Sequence, residues 1–231
     1  MFYITGDTHR DFSRIITFCQ ENNTSLNDSL IITGDAGINY YCDYRDEEVL
    51  EQLSRLPINL LCVHGNHEAR PYQLTIYKEQ EKYDGYVLQH DRYKNIMFLN
   101  DCEVYNFDGI KAIVIGGAYS VDKQYRILRG YNWWTDEQPS NGTKNEFVDV
   151  CDELQWSIDC VLSHTCPLKY EPIETFMPGI DQRKVDKSTE EWLDSIEDRL
   201  DYKKWYCGHY HTDKSIDKMR FLFNDIIEFK K

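Results

Sequence analysis

The sequence predicts an α/β fold, because strand-like and helix-like segments alternate along the first third of the chain. Residues 2–5, 29–33 and 58–63 are short apolar runs typical of buried strands. Between them, apolar residues recur at helical spacing from Phe12 to Cys19 and from Val49 to Leu56, where Pro57 ends the second helix. A strand-helix-strand-helix-strand order indicates a parallel sheet covered by helices.

The middle of the chain predicts an antiparallel meander. Residues 95–99, 103–107 and 110–115 are strand candidates with little room for helices between them, and Asp108-Gly109 is a hairpin turn signal. The aromatic segment 120–144 is expected to be a long irregular loop, a kind of segment that often carries function.

Further helices and strands are expected toward the end of the chain. One helix should bury Phe147 and Leu154, and Ser188 with Glu191 forms a capping box that predicts another. The strand candidates are residues 159–163 and 204–207, followed by a closing hairpin of residues 219–223 and 226–229.

Composition is typical of a globular protein, and the 231 residues suit one α/β domain. No apolar run approaches the roughly 20 residues of a membrane span, and the start of the chain does not resemble a signal peptide. The eight cysteines form no Cys-x-x-Cys pair, and several, such as Cys62, Cys160 and Cys207, lie in apolar runs typical of core cysteines. We therefore expect a cytoplasmic protein without a membrane partner. The net charge of −14 argues against binding long nucleic acids.

Five clusters rich in His, Asp or Asn each follow a predicted strand. They are Gly6-Asp7-Thr8-His9, Gly34-Asp35, Gly65-Asn66-His67-Glu68, Ser163-His164 and Gly208-His209-Tyr210-His211. Because ligands bind at the carboxyl ends of strands in α/β sheets, we expect these clusters to converge. Carboxylate, imidazole and amide oxygen donors suit divalent Mn, Fe, Zn or Ni, so the pattern predicts a metal centre.

The ordered set of clusters resembles the calcineurin-like metallophosphoesterases, whose motifs run Asp-x-His, Gly-Asp, Gly-Asn-His-Glu, a lone His and Gly-His-x-His. The resemblance covers residues 6–211. It implies a four-layer α/β/β/α sandwich with two mixed sheets, and two divalent metal ions, with Mn favoured.

The resemblance also implies a role for each matched residue. Asp7, His9 and His211 would hold one metal, Asn66, His164 and His209 the other, and Asp35 would bridge them. A metal-bridging hydroxide would then attack phosphorus, and His67 would protonate the leaving oxygen. The implied activity is hydrolysis of a phosphomonoester or phosphodiester, with nucleotides among the candidate substrates.

Some residues depart from the wider pattern. The Asp-Arg-Gly that protein serine/threonine phosphatases carry after Gly-Asp is missing, and His64 stands where they have Arg before Gly-Asn-His-Glu. The resemblance is therefore to the bacterial and phage members, in which features such as Gly116-Gly117-Ala118 recur.

Four arginines are candidates for binding phosphate oxygens: Arg10, Arg70, Arg126 and Arg129. We favour Arg10 and Arg70 as substrate-binding residues because each closely follows a metal motif. Two other functions remain open from the sequence, namely a binding module that has lost catalysis and a subunit of a nuclease.

Overall fold

The computed structural model describes residues 1–231 and contains thirteen strands and five α-helices. The strands are β1 (Phe2–Thr5), β2 (Ser29–Ile32), β3 (Asn59–Cys62), β4 (Tyr77–Lys82), β5 (Gly85–His90), β6 (Ile96–Leu99), β7 (Val104–Phe107), β8 (Ile110–Ile115), β9 (Cys160–Ser163), β10 (Lys204–Cys207), β11 (Lys214–Ile216), β12 (Met219–Phe221) and β13 (Ile227–Glu228). The helices are α1 (Ser13–Asn22), α2 (Tyr44–Ser54), α3 (Lys123–Arg129), α4 (Asn141–Glu153) and α5 (Ser188–Glu197).

The strands form two mixed sheets. The first has seven strands in the order β13-β1-β2-β3-β6-β5-β4, in which β1, β2, β3 and β6 are parallel neighbours. The second has six strands in the order β11-β12-β10-β9-β8-β7, in which β12, β10, β9 and β8 are parallel neighbours. The predicted α/β class with two mixed sheets is confirmed.

Three apolar cores define four layers. Alternate residues of β3 face opposite cores: Leu61 packs between the two sheets, whereas Leu60 and Cys62 pack with Ile15 of α1 against the outer face of the first sheet. Across the second sheet, Phe147 of α4 contributes to a third core. Burial of both sheet faces explains why these strands are continuous apolar runs in the sequence.

The cysteines behave as predicted for core residues. None forms a disulfide, and Cys62, Cys160 and Cys207 are among the seven that are buried. Every helix is too short or too polar to cross a membrane.

The predicted meander is only partly correct. The turn at Asp108-Gly109 joins β7 and β8 as expected, and both residues have positive φ. However, β6 belongs to the first sheet, where it pairs with β3 and β5, so it does not pair with β7. The hairpin of β4 and β5 was missed because most residues of β4 are polar and exposed.

The predicted closing hairpin is wrong. Strand β12 pairs with β11 and β10 in the second sheet, whereas β13 crosses to the first sheet and pairs with β1. The capping box is wrong as well, because helix α5 has Lys187 as its N-cap and Ser188 makes no capping bond. The segment 120–144 is less irregular than predicted, since it contains α3 and the start of α4.

Candidate metal centre

The five polar clusters converge where the parallel strands of both sheets end. Loops after β1, β2 and β3 supply residues from the first sheet, and loops after β9 and β10 supply them from the second. The backbone N–H of His209 donates to Asp7 Oδ1 over 2.9 Å, and the ring of His164 reaches the carbonyl oxygen of Thr33. These two contacts hold the sheets together at the site.

Four of the converging residues have a left-handed backbone that is uncommon outside glycine. The φ angles are 45° at His9, 48° at Asp35, 65° at His209 and 49° at His211. Such conformations cost free energy and persist where the surrounding structure enforces them, often at functional sites.

Two glycines allow the loops to approach closely. Gly34 has φ of +97°, and a Cβ at that position would lie 2.1 Å from Nδ1 of His164. A Cβ at Gly65 would lie 2.0 Å from Oδ1 of Asp35. Any side chain at either position would push ligand candidates apart.

Asp7, His9 and His211 form the first group of candidate ligands. The Nε2 atoms of His9 and His211 are 2.8 Å apart, and they lie 3.6 Å and 3.4 Å from Asp7 Oδ2. Two ring nitrogens and a carboxylate oxygen thus point to one place, an arrangement that a cation would stabilise.

Asn66, His164 and His209 form the second group. Nδ1 of His164 donates to the Thr33 carbonyl over 2.8 Å, which in the neutral ring leaves the lone pair on Nε2. That Nε2 lies 2.8 Å from Asn66 Oδ1, and Nδ1 of His209 lies 3.1 Å from the same oxygen.

The amide of Asn66 is oriented by a hydrogen bond. Its Nδ2 donates to Ser120 Oγ over 2.9 Å, which directs Oδ1 toward the histidines. Asn66 Oδ1 and, in the neutral ring with its proton on Nδ1, His164 Nε2 each direct a lone pair to the same place, where a cation can bind both.

Asp35 lies between the two groups. Its Oδ2 is 3.7 Å from His164 Nε2 and 3.9 Å from His9 Nδ1, while its Oδ1 accepts the backbone N–H of His67 over 2.8 Å. The atoms of Asp7, Asp35 and His164 lie close enough to share a cation.

The electrostatics favour ionised carboxylates at the centre but act in opposite directions on its histidines, since the hydrogen bond to Asp7 raises the pKa of His211. Burial alone would raise the pKa of Asp7 and Asp35, but hydrogen bonding from His211 to Asp7 and the charge of His67 near Asp35 lower both pKa values overall. Burial lowers the pKa of His209 to about 3. This donor set of carboxylate, imidazole and amide oxygen fits divalent cations.

A cavity of about 460 Å³ opens beside the two groups. His67 lines it, with Nε2 4.0 Å from Asp35 Oδ2 and 3.5 Å from Nη2 of Arg126. Burial lowers the pKa of His67, whereas the Asp35 carboxylate opposes that shift.

Residues 1–213 match the family model of calcineurin-like phosphoesterases. The chain belongs to that family. All five polar clusters fall within the matched region. No curated protein is significantly similar to the chain.

Two solved structures are similar to this calcineurin-like phosphoesterase chain. TT1561 of Thermus thermophilus is 11% identical with a TM-score of 0.52, and the match covers 96% of this chain and 87% of that one. The phosphopantetheinyl hydrolase of Mycobacterium tuberculosis is 14% identical with a TM-score of 0.47, and the match again covers 96% of this chain and 87% of that one. Because the identity to TT1561 is only 11%, that similarity shows a shared fold and carries no information about activity.

The structure brings together every predicted metal ligand of this family member, but it does not bring Arg10 or Arg70 to the cavity. Arg10 is paired with Asp46 and donates to backbone carbonyls. Arg70 is buried and donates to Asp101 Oδ2 over 2.6 Å. Both guanidinium groups therefore stabilise loops of the phosphoesterase fold, and Arg126 is the arginine of the cavity wall.

Three residues around the centre were not among the predicted site residues. Glu68 is buried, accepts from the N–H groups of Gly37 and Gly65 over 3.0 Å and 3.2 Å, and so joins the loops after β2 and β3. Burial raises its pKa to about 8. Ser120 and Glu190 also approach the site from distant segments, and no motif marks either of them.

Proposed function

We propose that this chain hydrolyses a phosphomonoester or phosphodiester with two divalent metal ions. The observation that carries the proposal is the convergence of potential ligand atoms: Asn66 Oδ1 lies 2.8 Å from His164 Nε2, and the Nε2 atoms of His9 and His211 lie 2.8 Å apart. Divalent ions held there supply Lewis acidity, which activates water and neutralises charge on phosphoryl oxygens.

The ligand roles follow from the two groups. Asp7, His9 and His211 would hold one ion, Asn66, His164 and His209 the other, and Asp35, which lies between the groups, would contact both. The oxygen and nitrogen donors are compatible with Mn, which we propose as the working metal.

We propose that His67 donates a proton to the leaving oxygen. It lies on the cavity wall next to Asp35, whose negative charge partly offsets the lowering of the His67 pKa by burial and by Arg126. A phosphate group entering the cavity adds negative charge and acts in the same direction.

Arg126 is placed to bind a phosphoryl oxygen. Its Nε is held by Asp122 at 2.9 Å and 2.8 Å, and Nη1 donates to the Tyr40 hydroxyl at 3.2 Å. Nη2 faces His67 in the cavity. A guanidinium fixed in this way provides a charge-assisted hydrogen bond without much loss of side-chain freedom.

Arg126→Ala is expected to lower kcat/KM by about ten- to a hundredfold, because a hydrogen bond to a charged group contributes about 1.5–3 kcal/mol. Steady-state kinetics on p-nitrophenyl phosphate and its bis ester would measure the change. Arg129→Ala is the matched control, since Arg129 is an exposed arginine of the same helix. Equal loss in the two variants would contradict the assignment.

The experiment that tests the proposed function compares p-nitrophenyl phosphate with bis(p-nitrophenyl) phosphate as substrates of the Mn-loaded protein. We expect turnover of at least one ester, and the faster reaction assigns phosphatase or phosphodiesterase activity. A metal-loaded protein without turnover of either ester or of alkyl phosphoesters would favour a binding module.

A further inference from the structure

The cavity extends beyond the candidate metal ligands and has a second wall. This wall comes mainly from the long connection between β9 and α5, and it includes the apolar side chains of Phe176, Met177, Ile180 and Val185. Glu171 and Glu190 line the same wall. The cavity therefore has room for an organic group in addition to phosphate, and it has acidic residues to contact that group.

Glu190 has an unusual environment for a cavity residue. It lies in the first turn of α5 and is only 4% exposed. Its Oε1 accepts the hydroxyl of Thr165 over 2.7 Å, whereas its Oε2 is buried without any hydrogen-bond partner. Leaving a buried acceptor unpaired costs free energy, and the cost is larger for a charged group.

No cationic side chain is bonded to Glu190, because the nearest lysine is paired with Glu171. Lys187 donates to Glu171 Oε2 over 2.6 Å, and the Tyr210 hydroxyl donates to Glu171 Oε1 over 3.4 Å. The Tyr210 hydroxyl also lies 3.2 Å from Thr165 Oγ1. The lysine is thus bonded to Glu171 and acts on Glu190 only as a nearby charge, while the side-chain partner of Glu190 is the neutral hydroxyl of Thr165.

The position of Glu190 in the first turn of α5 explains in part why a carboxylate is tolerated there. The helix dipole stabilises a carboxylate there. It does not supply a hydrogen-bond donor to Oε2, which is left as an unpaired acceptor in a residue that lines the cavity.

We propose that Glu190 binds a hydrogen-bond donor, an ammonium or hydroxyl group, on the organic part of the phosphoester while the metal centre holds its phosphoryl group. The inference rests on the proposed function and adds a specificity-determining residue to it. Glu190 lines the same cavity as the metal-ligand candidates His209 and His211. One molecule in that cavity can therefore contact both places.

The ionisation of Glu190 is consistent with a positively charged donor. Burial raises its pKa to about 7, and the hydrogen bond from Thr165 opposes that change. An ammonium group beside Oε2 would favour the ionised carboxylate, so of the two donors we expect the ammonium to bind more tightly.

Three phosphonates of equal shape test the proposal, because phosphonates bind without being hydrolysed. They are 2-aminoethylphosphonate, 2-hydroxyethylphosphonate and propylphosphonate, which differ only in an ammonium, hydroxyl or methyl end group. Calorimetry with the Mn-loaded protein is expected to show about ten- to a hundredfold tighter binding of the ammonium compound than of the propyl compound, with the hydroxyl compound between them.

Glu190→Gln is expected to remove most of the preference for the ammonium compound and to leave the Kd of propylphosphonate within about twofold. Glu191→Gln is the matched control, because Glu191 is the next residue on the helix and is exposed. A helix-capping role alone would change the thermal unfolding temperature of Glu190→Gln but not the ratio of the three affinities.

Two results overturn the inference. One is equal affinity of the wild type for the three phosphonates, which needs no variant to fold. The other is a preference that survives in Glu190→Gln. If p-nitrophenyl esters are still hydrolysed in either case, the proposed function stands and only the role of Glu190 fails; absence of both phosphonate binding and hydrolysis contradicts both.

Discussion

Asp35→Asn is expected to lower the turnover of every phosphoester by at least about a thousandfold, because metal ions contribute several kcal/mol of transition-state stabilisation. Asp35 is the carboxylate between the two ligand groups, 3.7 Å from His164 Nε2 and 3.9 Å from His9 Nδ1. Its replacement by a neutral amide removes a negative charge from the place where two cations would meet. Turnover and bound Mn, measured on the same preparation, would check this result.

The control for this variant is Asp149→Asn, which changes an exposed carboxylate on α4 in the same way. Circular dichroism should show that both variants are folded. If Asp35→Asn retains both its bound metal and at least a tenth of the wild-type turnover, Asp35 does not act as a shared ligand.

His67→Asn is expected to lower turnover by about a hundred- to ten-thousandfold for esters with alkyl leaving groups. An alkoxide leaves poorly unless it is protonated, whereas p-nitrophenolate leaves without a proton. The same variant should therefore lose much less activity on p-nitrophenyl esters. The cavity position of His67 beside Asp35 and Arg126 motivates this expectation.

The leaving group provides an internal control for His67. A variant that has lost metal or folding loses activity on all esters equally, whereas loss of the proton donor produces a difference between alkyl and nitrophenyl esters. Equal losses on both types of ester would show that His67 only orders the loop or binds phosphate.

The strands that carry the site could be predicted because both of their faces are buried. In β2 and β3, alternate residues enter different cores, which makes each strand a continuous apolar run. Polar clusters with glycine stand out directly after such runs. The parallel arrangement then places Asp35 and Asn66 at one edge without further information.

Pairing at the sheet edges could not be predicted from the sequence. Strand β4 is mostly exposed and polar, so it has no apolar alternation. Strand β13 has two residues, and its choice of β1 over β12 depends on packing between the sheets. Local pattern carries no signal for either decision.

Closeness in sequence to a metal motif did not identify the arginine of the cavity. Arg10 directly follows His9, but its backbone has φ of 72° and its side chain pairs with Asp46. Arg126 comes from α3, far from every motif, and reaches the cavity through the tertiary fold. Glu190 reaches the same cavity from α5, and no local pattern marks its unpaired oxygen.

The most direct test of the central claim is a titration of metal-free protein with Mn²⁺ in which bound metal and ester turnover are measured in the same samples. The two ligand groups predict saturation at two ions per chain, and turnover should rise as the second ion binds. The Asp35→Asn variant should not show this rise in turnover. A protein that binds no Mn²⁺, or one that holds two ions and turns over neither nitrophenyl nor alkyl esters, would contradict a two-metal phosphoesterase.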